Sequence, residues 1–167
     1  MIKAIVYTSK AGHTKEYAEL LSQEIGIPSY TIGDAKNVLS QNDEIVYMGW
    51  LMAGFVKGLK KAKRYNLKAV CGVGSTPPTE KDTARIGNQN KVPLDKFFLL
   101  LGGYDIDKLS GMYRKIIESI SKSMLTKLSA KSESEITENE KLTLDIVKGK
   151  NFVSIDNLAP VIELLKK

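Results

Sequence analysis

The sequence predicts a three-layer α/β protein built on a parallel sheet, and three observations carry that expectation. Short, nearly continuous apolar runs recur from Lys3 to Leu101, each bounded by polar or glycine-containing segments. Stretches with helical spacing lie between them. Parallel strands need crossover connections and bury both faces, so uninterrupted apolar strands alternating with helices fit a sheet covered on both sides. The length of 167 residues and 43% hydrophobic content suit one well-buried domain, taken as 1–167.

The elements follow in order. Lys3 to Thr8 (KAIVYT) is a β-branched strand, and Thr14 to Gln23 places Tyr17, Ala18, Leu20 and Leu21 at helical spacing before Gly26. Ser29 to Ile32 is a second short strand, and Ala35 to Gln41 has room for one or two helical turns. Glu44 to Met48 (EIVYM) is the third strand, followed by a Lys-rich helical stretch from Phe55 to Arg64. Lys68 to Val73 (KAVCGV) is the fourth, with a helix from Thr79 to about Ile86, and Lys96 to Leu101 (KFFLLL) is the fifth, closed by Gly102 and Gly103. A C-terminal helical extension then begins. Leu109, Met112, Tyr113, Ile116, Ile117, Ile120, Met124, Leu125 and Leu128 fall on one helical stripe, read as facing the core with a solvated basic face opposite. The polar stretch SAKSESEITENE leads into a helix near Thr137 to Val147, and Asp156 or Asn157 caps a last helix with Pro160 in its first turn. No internal repeat is visible.

The balance of 25 Lys and Arg against 19 Asp and Glu gives a formal charge of +6, which favours anionic partners. The run Lys57, Lys60, Lys61, Lys63, Arg64 and Lys68 contains no acid and suits an acidic redox partner or a nucleotide. No nucleic acid is expected, because interleaved aromatics and a reading motif are missing. No apolar stretch is long enough to cross a bilayer, and MIKAIVYTS lacks a secretory cleavage pattern. The lone Cys71 sits in a strand and is expected to be buried and inert. A cytoplasmic location follows as the expectation. The basic stretch around Lys115 and Lys122 adds an anionic membrane surface on its inner face as a possible contact.

The segment YTSKAGHTKEYA, from Tyr7 to Ala18, is a polar elbow between the first strand and the first helix. Such a loop points free backbone N–H groups and a partial positive charge at whatever lies there, and phosphate fits that place. An ordinary helix start with turn residues is the other reading of the same residues. The elbow has neither the G-x-x-x-x-G-K-[ST] nor the G-x-G-x-x-G pattern, and no acidic cluster ends the first strand.

Tyr7, Ser9, Gly12, Thr14 and Ala18 together resemble the N-terminal signature of the flavodoxin family: an aromatic, Ser or Thr, Gly, Thr two residues on, and Ala four beyond. The resemblance implies a flavodoxin-like five-stranded parallel sheet of order 2-1-3-4-5, with FMN at the topological switch point. Carried over by position, it implies that Thr8, Ser9, Lys10, Ala11, Gly12, His13 and Thr14 line the FMN phosphate. Ala11 and His13 depart from the hydroxyl residue and Asn often found there. Two ring-binding loops are implied after the third and fourth strands, at Gly49, Trp50, Leu51, Met52 and Ala53, and at Gly74, Ser75, Thr76 and Pro77. Trp50, the sole tryptophan, would stack on the flavin; a core or interface Trp is its other reading. The second loop has no aromatic. No catalytic residue or metal ligand is assigned.

The order GGYDIDKLSGMYRKIIESISKSMLTKL, a polar loop, then NFVSIDNLAPVIELLKK is similar to the long-chain flavodoxin-type menaquinone-dependent protoporphyrinogen oxidases. That similarity implies a quinone or tetrapyrrole substrate. Three functions therefore stand: an FMN electron carrier serving a redox partner protein or a small-molecule electron acceptor, an FMN-dependent oxidoreductase, or a flavin-free interaction module. With no acid in the three loops and Lys10, Lys57 and Lys81 in or beside them, the expected hydroquinone potential is less negative than flavodoxins usually show.

Overall fold

The computed structural model describes residues 1–103 and 111–167. Leu109 of the long stripe lies outside them, as do the side chains of Tyr113 and Ile117.

The chain runs β1 (Ile2–Thr8), α1 (His13–Ile25), β2 (Ser29–Thr31), α2 (Ile32–Val38), β3 (Glu44–Met52), β4 (Phe55–Val56), α3 (Leu59–Ala62), β5 (Asn66–Gly74), α4 (Glu80–Gln89) and β6 (Phe97–Leu101). Three helices follow: α5 (Gly111–Ser129), α6 (Glu138–Val147) and α7 (Ala159–Leu165). Strands β2-β1-β3-β5-β6 pair in that order, all parallel, and β4 pairs antiparallel with β3. Alternation along the central strands sends side chains to opposite faces. Ala4, Val6, Ile45, Tyr47 and Val70 pack with Ala35 of α2, Leu59 and Ala62 of α3, and Ile86 of α4. Ile5, Val46, Met48, Ala69 and Cys71 pack with Tyr17, Ala18 and Leu21 of α1, and with Leu158, Val161 and Ile162. The result is a mostly parallel sheet between two helical layers.

Several expectations need correction. The sheet has six strands, not five, and the added β4 changes the order from 2-1-3-4-5 to 2-1-3-5-6. The stretch from Phe55 to Arg64 is not one helix: Ala53 and Gly54 turn the chain at φ 51 and 77, and Gly58 breaks it again at φ 80. Phe55 and Val56 therefore fold back on β3, leaving Leu59–Ala62 helical. Neither Asp156 nor Asn157 caps α7 through its side chain. The stripe of α5 does not face the core throughout, for Met112 is 77% exposed, Ile116 48% and Ile120 49%, while Ser121 and Leu128 are buried. α5 packs against α6. The stretch after Ser129 holds a 3-10 turn at Glu133–Glu135 with a Ser132 and Glu135 capping box, and Thr137 with Glu140 caps α6 the same way.

The segment from Asn151 to Asn157 is strapped across the end of β6. Phe152 N–H donates to Gly102 O at 2.8 Å. The buried Tyr17 hydroxyl donates to Leu101 O at 2.5 Å and accepts from Asn157 Nδ2 at 2.6 Å, and the same amide donates to Phe152 O at 2.8 Å. Burial pushes the Tyr17 phenol above its ordinary value, against the lowering effect of the Asn157 bond.

Burial also pushes Tyr47 up to about 12, with the Thr8 bond opposing, and the Cys71 thiol up to about 12 from 9.0. Below pH 9 these groups are protonated whether the chain is folded or not, so they add no pH dependence. Above it the unfolded chain releases protons that the native one keeps, and stability falls by up to about 1.4 kcal/mol per pH unit for each group. The urea midpoint should be flat from pH 7 to about 8.5 and fall steeply toward 11, and Cys71→Ala should remove about 1 kcal/mol of the fall between pH 9 and 10. A midpoint indifferent to pH above 9 would contradict this.

Candidate functional site

The carboxyl ends of β1, β3 and β5 lie side by side, with Thr8 paired to Gly49 and Trp50 to Val73. Parallel strands bring the connections that leave them to one edge, where ligands of open α/β sheets bind. All three stretches expected to form the site start there.

The elbow after β1 turns on Gly12 at φ 106, a conformation that a side chain would strain, and α1 starts at the next residue. No side chain at the Gly12 cap position bonds the start of the helix. Ser9 Oγ accepts from Gly12 N–H at 3.2 Å and closes the elbow on itself. The hydroxyls are less available than the sequence suggested. Tyr47 Oη donates to Lys57 O at 2.7 Å, so its 2.8 Å bond with Thr8 uses the threonine proton, and Thr14 is only 2% exposed. The Ser9 hydroxyl only accepts in its bond with Gly12, and Lys10 stands over the Trp50 ring, so these two side chains and the turn backbone are what the elbow presents.

His13 packs over Gly102 and Gly103: a Cβ added at Gly102 would lie 3.0 Å from His13 Cβ, and one at Gly103 3.3 Å from His13 Nε2. Beside it, a cleft of about 340 Å³ opens between the elbow and the strap, lined in part by Ala11, Gly12, His13, Glu16 and Asn151. Asn151 Nδ2 donates to Glu16 Oε2 at 2.8 Å across it.

The segment after Met48 is a β-hairpin, not a loop. Residues Gly49 to Met52 continue β3, Leu51 pairs with Val56 and Met52 with Phe55, and Lys57 N–H donates to Trp50 O at 3.0 Å. These bonds commit backbone groups that a ring-binding loop would offer. Gly49 allows the close return, because a Cβ there would lie 2.5 Å from Lys57 O. Leu51 turns inward over Gly72 and Gly74. Trp50 stays half-buried at the edge, with Lys10 Nζ 5.3 Å and Lys57 Nζ 5.8 Å from its ring centroid, both within cation–π range.

The structure thus joins Lys10 of the elbow to Trp50. It takes Ala53 elsewhere, toward the end of α4, where Gln89 Nε2 donates to Ala53 O at 3.1 Å. The buried Asn90 holds the same turn, accepting from Val56 N–H at 2.9 Å and donating to Gly54 O at 2.7 Å. Gly74 O accepts from Gly102 N–H, and the chain then passes Ser75 on its way to α4. Thr76 and Pro77 share with Leu51 and Gly74 a cavity of about 40 Å³. That is room for a water or two and not for a ring system.

Asn90 and Asn151 were not anticipated as site residues, and Lys57 was expected beside the loops for its charge and not as a partner of Trp50. Lys57 had a signal in the acid-free basic run; the two asparagines had none, since their partners are remote in sequence. Among the described residues no group of three or more His, Cys, Asp or Glu is placed to hold a metal ion, and no helix is long and apolar enough to cross a membrane. No protein-family model matches the chain, and no curated protein matches it.

The hairpin's return depends on Gly58. It sits at φ 80, and a Cβ there would run into Tyr47 Oη and Thr8 Oγ1. Gly26, at φ 66 with nothing within 4 Å, carries the same backbone strain without the collision. Gly26→Ala should cost about 1 kcal/mol and Gly58→Ala at least about twice that in urea denaturation. Only the second should alter Trp50 emission. Equal costs would remove the collision from the account.

Proposed function

We propose that this chain is an FMN-binding, flavodoxin-like redox protein that mediates electron transfer. The observation that carries the reading is the meeting of Lys10 with Trp50, which sets the elbow before α1 and the aromatic of this edge beside one another. FMN presents a phosphate dianion and a flat ring, and the edge offers a partner for each. The mostly parallel sheet flanked by helices is compatible with that reading.

The amides around Gly12, with Lys10, would hold the phosphate. Trp50 would cover the ring, and the backbone from Gly74 to Thr76 would flank its edge. When bound, the flavin supplies reversible one- and two-electron chemistry. The chain's residues orient it, keep water from one face and set the local charge. Lys10 and Lys57, facing Trp50, favour added negative charge; one cation at about 10 Å and an effective dielectric near 20 contributes roughly 1 to 2 kcal/mol before screening.

The test is titration of the purified chain with FMN by calorimetry and fluorescence. One-to-one binding with quenched flavin emission is expected, weakened about tenfold or more in Trp50→Ala through lost ring contact. Potentiometry of the complex should then give a value less negative than flavodoxins show. No heat and no quenching would leave the flavin-free interaction module standing.

One observation favours the second reading, an FMN-dependent oxidoreductase acting on a quinone or porphyrinogen at an anionic membrane surface. The exposed Met112, Ile116 and Ile120 of α5 are accompanied by the exposed Lys115 and Lys122, the composition of a helix that lies in a lipid interface. Under this reading the protein sediments with phosphatidylglycerol vesicles at low salt, and Ile120→Glu releases it. Wild-type protein that stays in the supernatant removes the support.

A further inference from the structure

The cations of this protein are unevenly satisfied. Lys15, Arg85, Arg114, Lys131, Lys141, Lys150 and Lys167 each pair with a carboxylate. Among the described residues no carboxylate lies within ion-pair distance of Lys57, Lys60, Lys61, Lys63 or Arg64. These five occupy the end of the β3–β4 hairpin and the turn of α3. Lys63 Nζ donates to Asn90 O at 2.8 Å, and Asn90 grips the hairpin turn, so that ammonium lies beside it.

The hairpin they adjoin has two unlike faces. Leu51 and Val56 face each other inward, and Val56 is buried. The alternation of side chains then puts Trp50 and Met52 of one strand with Phe55 and Lys57 of the other on the outer face. Phe55 is 52% exposed and joins neither core cluster, whereas Val56 beside it is part of one. An aromatic and thioether centre with a charged rim is the anatomy of a protein-binding patch.

We infer that the outer face of the β3–β4 hairpin, rimmed by Lys57, Lys60, Lys61 and Lys63, docks an acidic protein partner. Charge chooses the sign of that partner: unneutralised cations attract carboxylates and speed encounter. The apolar centre distinguishes it from a nucleic acid, which would need a longer basic track. It also distinguishes it from lipid, because the patch is a short ribbon and not a long apolar face. The surface stands on geometry alone. That this partner is the one exchanging electrons rests on the flavin reading, since Trp50 belongs to both sites.

Trp50 is the sole tryptophan, so ¹⁵N-labelled protein gives one indole N–H signal that reports on this face directly. The probe is an oxidised, acidic [2Fe–2S] ferredoxin, with a basic cytochrome c as the control of opposite charge. The ferredoxin should shift the indole signal of both flavin-free and FMN-treated protein, and affinity should fall at least about tenfold between roughly 20 and 300 mM NaCl. Combined Lys57→Glu, Lys60→Glu and Lys61→Glu substitutions should weaken binding about 10- to 100-fold, the matching Lys→Arg substitutions should retain it, and Phe55→Ala should weaken it at all salt concentrations. A shift in protein that fails to bind FMN keeps the docking surface and rejects the redox reading. FMN binding with no indole shift by ferredoxin, or an equal shift by cytochrome c, overturns the docking surface. So does a larger shift of the indole signal with a 20-base-pair DNA duplex or with phosphatidylglycerol vesicles.

Discussion

The Tyr47 hydroxyl is the hinge on which this edge of the molecule is organised. It lies inside the sheet's helical layer, donates to Lys57 O at 2.7 Å and accepts from Thr8, and so ties the end of β1 to the return of the β3–β4 hairpin. A buried phenol without those partners would cost about 1 to 3 kcal/mol, so the fold holds the hairpin wherever the hydroxyl is satisfied. Gly58 completes the joint by leaving space for both oxygens. The consequence reaches the surface. Lys57 and Trp50 face the elbow because the hairpin that carries them is fastened to it from beneath.

The parallel strands were readable because their period is local. KAIVYT, EIVYM, KAVCGV and KFFLLL are continuous apolar runs, and a strand buried on both faces has no other way to appear in a sequence. The hairpin was not readable for the opposite reason. Phe55 and Val56 are too short a run to show a period, the lysines after them favour a helix, and the first turn residue with positive φ is Ala53, which does not announce a turn. What decides that segment is pairing with β3 and the grip of Asn90 from α4, both distant in sequence.

The candidate site was legible to a different depth. The elbow and Trp50 were found because their residue types and their place after a strand are informative by themselves. The donors were misjudged, since no sequence pattern reveals that the Thr8 proton is spent on Tyr47 or that Thr14 is covered. α5 shows the same limit: a stripe at helical spacing identifies a helix and says nothing of whether its partner is the sheet, another helix or a surface. Here Ser121 and Leu128 are covered and Met112 is not.

The two sides of the elbow are built with different chemistry, and this constrains what the edge can do. On the Trp50 side it meets Lys10 and Lys57, and among the described residues no carboxylate is in ion-pair reach of Lys57. On the strap side Glu16 is held by Asn151, and Tyr17 beneath is held by Asn157. Negative charge arriving at the edge is therefore drawn toward the Trp50 side, where two cations face the ring. The strap cleft carries mixed charge, since Glu16 and Glu19 line it together with Lys15, which pairs with Glu19 at 3.5 Å, and its pull on an anion is weaker for that reason. The strap's role is then mechanical: it pins β6 and α1 together, and so fixes the direction in which the first amides of α1 point.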